Sequence, residues 1–152
     1  MRYQHEFRLN APLDQVAAFH GKSANMAAIT PPPISVRIHQ APEQLADGSV
    51  MNFTLWMGPV PVNWISQIEA VSPNGFIDRQ LSGPFKFWLH QHRFTALSDG
   101  ITLVQDEIQA ELKPHPWWGM VGLAMWLGMP VLFYFRARQT RRLLQGKGPA
   151  AA

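Results

Sequence analysis

Five turn signals divide residues 34–112 into six segments, and this division constrains the fold more than any other feature of the chain. Each signal contains glycine, usually beside proline or a small polar residue, and these residues favour tight reversals of the backbone. The signals are Asp47-Gly48, Gly58-Pro59, Asn74-Gly75, Ser82-Gly83-Pro84 and Asp99-Gly100. Segments joined by such short turns pair as antiparallel neighbours. The pattern therefore predicts six consecutive strands of one antiparallel sheet.

The residues that precede this region predict one strand and two short helices. Residues 2–9 alternate between two sets of side chains, one largely apolar and one polar, which indicates a half-buried strand. Asn10-Ala11-Pro12 supplies an N-cap and an early proline for a first helix. A second helical stretch is expected at 23–28, before a run of three prolines stops it.

A C-terminal helix is the only element long enough to cover such a sheet. Residues 117 to about 145 are expected to form it, although glycines and Pro130 interrupt the run. A sheet with one apolar face must bury that face against another layer. We therefore predict a single α+β domain of order β-α-α-β6-α over residues 1–145, followed by a disordered tail at 146–152.

The segment from Ile101 to Leu112 indicates which face of the sheet is buried. Alternate positions in it are openly polar, namely Gln105, Glu107, Gln109 and Glu111. The other positions are mostly apolar, so they must point inward. Asp106 is among them. An acidic group is therefore expected in the interior of the domain.

A larger polar set is expected beside Asp106, because residues of equal parity on a strand share a face. The candidate ligand-binding residues are Trp64, Asp78, Gln80, Trp88, His90, His92, Phe94 and Asp106. The candidate catalytic residues within this set are Asp78, His90, His92 and Asp106. The inward orientation of residues 85–97 is open, because Phe85, Phe87 and Leu89 compete for the core and a one-residue bulge would reverse it.

Four roles fit this polar set. It can be a structural network that holds the sheet in register, since buried charges need partners, or a group that orients a ligand inside an aromatic pocket. It can also perform general acid–base catalysis, with an imidazole adjusted by a carboxylate. The His-x-His spacing would suit a metal, but no third ligand is fixed and Trp88 crowds the place. We expect no metal and no cofactor.

Composition excludes several classes of function. The chain has no cysteine, which removes disulfides, thiolate ligands and thiol nucleophiles. Five cations lie in the last 17 residues, which contain no acid, so the net charge of +3 reflects a basic C-terminal end. That is not the broad basic surface of a nucleic-acid-binding protein. We expect no nucleic-acid partner and a cytoplasmic location.

Residues 116–135 carry no charge and are followed at once by arginines. A run of this length could cross a bilayer, and the arginines resemble a positive-inside flank. Pro130 and four small residues inside the run favour a buried helix instead. The sequence therefore predicts a buried helix at 116–135, with contact to a membrane as the alternative.

Several motifs resemble those of a known superfamily. They are Gly58-Pro59-x-Pro61-x-x-Trp64, Gly75-Phe76-x-Asp78-x-Gln80 and Gly83-Pro84-Phe85-x-x-Trp88-x-His90-x-His92-x-Phe94. On these motifs the chain is similar to the START-like, helix-grip superfamily (SRPBCC, Bet v 1-like). Within it, the chain resembles a bacterial branch of ligand-binding SRPBCC domains. The similarity covers almost the whole chain, from about Tyr3 to Arg142.

The resemblance implies the same β-α-α-β6-α order and a cavity between the sheet and the last helix. We expect the cavity to bind a small hydrophobic or aromatic molecule, without catalysis. The alternative is a polyketide cyclase or dehydratase that uses the His/Asp cluster. Some similar domains are fused to epimerase-like domains, so the candidate protein partners are a second copy of the chain and an epimerase-like protein.

Overall fold

The computed structural model describes residues 1–145, which form seven strands and four helices. The strands are β1 (Arg2–Leu9), β2 (Ile34–Gln40), β3 (Val50–Met57), β4 (Val60–Ser72), β5 (Gly75–Ser82), β6 (Phe85–Ser98) and β7 (Ile101–Leu112). The helices are α1 (Leu13–His20), α2 (Asn25–Ala28), α3 (Pro116–Leu127) and α4 (Met129–Gln145). The predicted disordered tail at 146–152 lies outside the described residues.

All seven strands form one antiparallel sheet in the order β1-β7-β6-β5-β4-β3-β2. The six strands from β2 to β7 are neighbours in chain order; the turns from β3 onward have two residues each, whereas residues 41–49 connect β2 to β3. Asn74-Gly75 is one such turn, and Gly75 adopts a φ of 137° that side chains rarely tolerate. β1 then pairs with β7 at the end of the sheet. The predicted α+β class and element order are confirmed up to β7.

The first helix begins one or two residues later than predicted. Pro12 occupies its N-cap position, and no side chain caps the helix there, so the expected Asn10 cap is wrong. Proline suits the position because it lacks the N–H that a helix start leaves unpaired. Gly21 ends the helix by donating its N–H to Ala17.

The buried face of the sheet is the one that β7 predicted. Thr102, Val104, Asp106, Ile108 and Ala110 are all buried, whereas the alternating residues between them are more exposed. Aromatic side chains from the other strands meet them in one core. Its aromatic members are Phe7, Phe53, Trp64, Phe76, Phe85, Trp88, Phe94 and Phe133.

Two bulges set which side chains of β4 and β6 point inward. In β6 the register with β7 shifts between Phe85 and Phe87, so Phe85 and Trp88 are both buried although they differ in parity. From Trp88 onward, the inward-facing side chains of β6 are therefore Trp88 and the residues at every second position after it, such as His90 and Phe94. In β4 the register shifts after Glu69, and Ala70 adopts a φ of 54° and is exposed although it has the same parity as the buried Trp64, Ser66 and Ile68.

The C-terminal segment is a bent pair of helices rather than the single long helix predicted. α3 ends at Gly128, which donates its N–H to Ala124, and α4 starts at Met129 at an angle of 48° to α3. Pro130 cannot donate a hydrogen bond to the last turn of α3, so the helix breaks there. Within residues 1–145, no single helix combines the length and apolarity needed to cross a membrane, although the bent pair together passes that test.

Only one side of this helix pair faces the sheet. The buried positions of α4 are Met129, Phe133, Ala137 and Thr140, which recur at helical spacing. Leu127 and Val131 on the other side are 71% and 69% exposed. The prediction of a buried helix at 116–135 is therefore wrong for its outer face.

Candidate functional site

A cavity of about 140 Å³ lies between the inner face of the sheet and the helices. Strands β3 to β6 form one wall, α1 and α2 form a second, and the junction of α3 and α4 forms a third. Two larger depressions lie elsewhere, at 230 and 330 Å³. They lie mainly among outward-facing polar side chains of the sheet and beside the β4–β5 turn, so they lack the enclosed apolar lining of a small-molecule site.

Aromatic rings make up the apolar part of the lining. Trp64 and Trp88 meet edge to face with ring centroids 5.3 Å apart, and Phe53 stacks on Trp64 at 6.1 Å. Such contacts hold the indoles in fixed orientations. Trp64 and Trp88 therefore lie at the cavity, in the inward positions that the sequence predicted.

Three of the predicted polar residues meet beside the cavity, and we call His90, His92 and Asp106 the His–Asp cluster. Nε2 of His90 donates a hydrogen bond of 2.9 Å to Oδ1 of Asp106. Nδ1 of His92 lies 3.0 Å from the same oxygen but not in a hydrogen-bonding direction. The two imidazole rings are 3.8 Å apart. The histidines line the cavity and Asp106 lies behind them, so the carboxylate orients the rings.

The electrostatics of the cluster favour an ionised acid beside neutral bases. Burial lowers the pKa of His92 to about 4 and also lowers the pKa of His90. Burial opposes ionisation of Asp106, but the bond from His90 and the contact with His92 outweigh it and hold the pKa of Asp106 below its usual range. At neutral pH the cluster is therefore one carboxylate held by uncharged imidazoles.

A second carboxyl group, Asp78 on β5, reaches the cavity, and its pKa is displaced in the opposite direction to that of Asp106. Burial raises its pKa, against the smaller effects of His92, the Ser66 hydroxyl and the Arg136 guanidinium. Asp78 and Asp106 therefore have pKa values displaced in opposite directions within one site.

Several buried polar atoms around the cavity are unpaired within residues 1–145. They are Nε1 of Trp64, Oγ of Ser66, Oδ1 of Asp78 and Nε of Arg136. Trp64, Asp78 and Arg136 all line the cavity. A buried polar atom without a partner costs about 1–3 kcal/mol, so this concentration of unpaired atoms marks the place where a ligand would be bound.

Three of the predicted binding residues do not line the cavity: Asp106, which lies behind the histidines, and also Gln80 and Phe94. Gln80 uses its side-chain amide to hold the turn between β5 and β6, where Nε2 donates to the Phe85 carbonyl at 2.8 Å. Phe94 is 1% exposed and packs between Phe76 and His20, beyond the His–Asp cluster. Both have the inward parity that the sequence indicated, but they lie too far along their strands to reach the void.

Six polar residues of the cavity lining lie outside the predicted set, and Arg136 and His20 are two of them. Arg136 was assigned to the basic end of the last helix, yet it lies seven residues after Met129 and three after Phe133, on the buried stripe of α4. Its guanidinium lies 5.3 Å from the Phe133 ring. His20 is the last residue of α1, and burial lowers its pKa to about 4. Helical spacing alone could have identified both.

The His–Asp cluster also has the spacing of a metal site. One ligand atom from each residue lies within 4.8 Å of the others. Two imidazoles and a carboxylate are the donor set of a facial triad. However, Oδ1 of Asp106 already accepts a hydrogen bond from the N–H of His90. The positive charge of Arg136 also acts on the His90 imidazole and the Asp106 carboxylate. The absence of a metal stays a prediction.

Comparison with solved structures establishes the fold family. The aromatase/cyclase Zhui from Streptomyces sp. R1128 superposes with a TM-score of 0.69 at 16% identity, over 97% of this chain and 98% of that one. Norcoclaurine synthase from Thalictrum flavum, solved with dopamine and hydroxybenzaldehyde, gives 0.70 at 10% identity, over 99% and 89%. The chain has the START-like helix-grip fold. No protein-family model and no curated protein sequence matches it.

Another helix-grip structure is a domain of a longer protein. The nucleoside-diphosphate sugar epimerase from Corynebacterium glutamicum has a TM-score of 0.70 and 25% identity over 94% of this chain. The chain spans only 29% of the length of that epimerase. The fold that the sequence resemblance implied is confirmed, and the cavity described above lies between the sheet and the helices.

Proposed function

We propose that this helix-grip domain binds a small aromatic molecule that carries oxygen substituents. The observation that carries the proposal is the set of unpaired buried atoms on an aromatic cavity wall. Trp64 and Arg136 offer N–H donors, and Asp78 offers an acceptor. A phenol with a carbonyl or second hydroxyl group would satisfy both kinds of atom while its ring contacts the indoles.

The size of the cavity limits the ligand to about one ring. A cavity of about 150 Å³ accepts benzene, whereas drug-sized ligands need pockets of about 300 Å³ or more. At about 140 Å³ this cavity matches the first class. A multi-ring polyketide would require the helices to move away from the sheet. The volume therefore favours a single-ring phenol over the larger substrate class.

A matched pair of tryptophan variants tests the proposal. Trp64 is 4% exposed at the cavity, whereas Trp56 is 38% exposed at the surface. We expect p-cresol and 4-hydroxybenzaldehyde to raise the denaturation midpoint saturably, as any native-state ligand must. Trp64→Phe removes the unpaired N–H and should weaken binding about 5- to 10-fold, the effect of one hydrogen bond. Trp56→Phe should leave the affinity unchanged.

Toluene separates specific binding from general apolar affinity. It matches p-cresol without the hydroxyl group, so it should bind at least about 5-fold more weakly if the unpaired atoms contribute. Calorimetric titration of the unmodified protein and both variants gives the affinities. Equal affinity for toluene and p-cresol, or no binding of any of these compounds at millimolar concentration, would contradict the proposal.

Proton transfer at the same cavity is the second candidate function. It is favoured by the two carboxyl groups whose pKa values are displaced in opposite directions, a pattern that separates acid and base roles. In its protonated form, which burial favours, Asp78 can donate a proton to a carbonyl oxygen, and neutral His92 can take one from the adjacent carbon. This is the chemistry that a cyclase or dehydratase needs.

Deuterium exchange of a bound ketone distinguishes the two functions. The α-protons of acetophenone in D2O, followed by proton NMR, should exchange faster than in buffer only if the site transfers protons. Asp78→Asn should abolish the acceleration while 4-hydroxybenzaldehyde still binds. Exchange at the buffer rate, with the ketone shown to be bound, would leave binding as the function.

A further inference from the structure

An apolar stripe runs along the outer side of the bent helix pair, and we call it the elbow surface. It consists of Trp117, Met120, Leu123, Leu127, Val131 and Tyr134. The three residues around the bend are the most exposed, at 71% for Leu127, 69% for Val131 and 68% for Tyr134. Contiguous apolar surface of this kind is uncommon on a free domain and marks an interaction site.

The spacing of these residues shows that they form one continuous face. Successive members lie three or four residues apart, which is the spacing of neighbours on a helix surface. The face continues across Gly128 because α4 starts at once, at Met129. Val121 and Phe133 point the other way, into the core. The elbow surface is therefore separate from the side of the helices that covers the sheet.

The charge around the elbow surface has a single sign. Glu111 is the last acidic residue of the chain, so the helix pair contains no carboxylate side chain. Arg138 and Arg142 continue the outer stripe of α4 and are exposed. In the described part of the chain neither forms an ion pair with a carboxylate. At 1.5 Å per residue, Arg138 lies about 10 Å along the axis from Val131.

We propose that the elbow surface docks on an anionic lipid bilayer. An amphipathic helix buries its apolar side about 5–10 Å deep at the boundary of headgroups and acyl chains, and cations beside it contact anionic headgroups. Arg138 and Arg142 follow Val131 and Tyr134 on the same side of α4, so they would contact the headgroups when Leu127 and Val131 are inserted. Trp117 and Tyr134 are the residue types that prefer the membrane interface. Charge complementarity thus selects a negatively charged lipid surface.

Vesicle sedimentation tests the proposal with two pairs of substitutions. The protein should sediment with vesicles of phosphatidylcholine and phosphatidylglycerol, and much less with phosphatidylcholine alone. Arg138→Gln with Arg142→Gln should weaken the partitioning about 30-fold, since each arginine near an anionic surface contributes a factor of about five. Leu127→Ser with Val131→Ser should weaken it more than about 10-fold.

A control pair lies on the sheet. Leu81 and Leu97 are 54% and 47% exposed, far from the helix pair in sequence. Leu81→Ser with Leu97→Ser should leave sedimentation unchanged, and circular dichroism should show every variant folded. Equal binding to neutral vesicles would overturn the proposal. Association that resists carbonate would also overturn it, because it indicates a membrane span. A third contrary result is a dimer in light scattering that Leu127→Ser with Val131→Ser dissociates, while no variant changes vesicle binding.

Discussion

The buried histidines make the stability of this domain fall as the pH is lowered from 7 to 5. Burial lowers the pKa of His20 and of His92 from 6.5 to about 4. Between these two values the unfolded chain binds a proton that the folded chain excludes, so stability is lost as pH falls. Each histidine contributes a loss of about 1.8 kcal/mol between pH 7 and pH 5, roughly 3.5 kcal/mol together.

Other titrating groups change the size of this effect. The lowered pKa values of His5 and His90 act in the same direction. The raised pKa of Asp78 acts in the opposite direction, because the folded state then binds the extra proton. Asp78 can offset the effect of at most one histidine, because it binds at most one proton. Four histidines lower the stability as the pH falls, so their effect is larger. The free energy of unfolding should therefore decrease toward pH 5.

Denaturant titrations at pH 7, 6 and 5 measure this dependence directly. His92→Gln removes one titrating ring and should shrink the pH-dependent loss by about 1.8 kcal/mol relative to the unmodified protein. NMR titration of the histidine ring protons gives the pKa values independently. Two results would contradict this reasoning: stability that rises toward pH 5, or a pH dependence of the free energy of unfolding that is the same in His92→Gln as in the unmodified protein. Either would mean that His92 is protonated beside Asp106 in the folded protein, and not neutral.

Three further outcomes are expected. Gly75→Ala should lower the free energy of unfolding by about 3 kcal/mol or more, because φ is 137° and a Cβ would lie 2.0 Å from the His92 carbonyl oxygen. Gly100 has open space around it, so Gly100→Ala should change the denaturation midpoint little. Phe133→Ala should cost about 3–5 kcal/mol, while Tyr134→Ala on the opposite side of α4 should cost less than about 0.5 kcal/mol. Dialysis against EDTA should leave the thermal midpoint unchanged, and a fall on chelation would show a bound metal.

The sheet could be predicted because its signals are local. Turn residues fix where each strand ends, and alternation fixes which side chains share a face. β7 is the clearest case: four polar residues on one side leave Asp106 on the other, and the structure has it 7% exposed. Asp106, His90 and His92 then meet because β6 and β7 pair with His92 opposite Asp106.

The helix pair and the limits of the site depend on tertiary packing, which the sequence pattern does not specify. Gly128 and Pro130 permit a break, but only contact with the sheet determines that the chain bends there by 48°. Gln80 has inward parity, yet the turn beside it takes up its amide. Arg136 is the first residue of a basic segment, and such a segment is typical of an exposed helix end. Its helical spacing from the buried Met129 and Phe133 is what places it on the inner side of α4.

The break in the C-terminal helix also accounts for the position of the cavity. α3 contacts β6 and β7, and α4 contacts β1, so the bent pair covers one end of the sheet. The inner face of β3, β4 and β5 is left for α2 and the junction of α3 and α4 to cover. These elements do not fill the space above Trp64 and Asp78. The void and its unpaired polar atoms therefore lie where the helix pair changes direction.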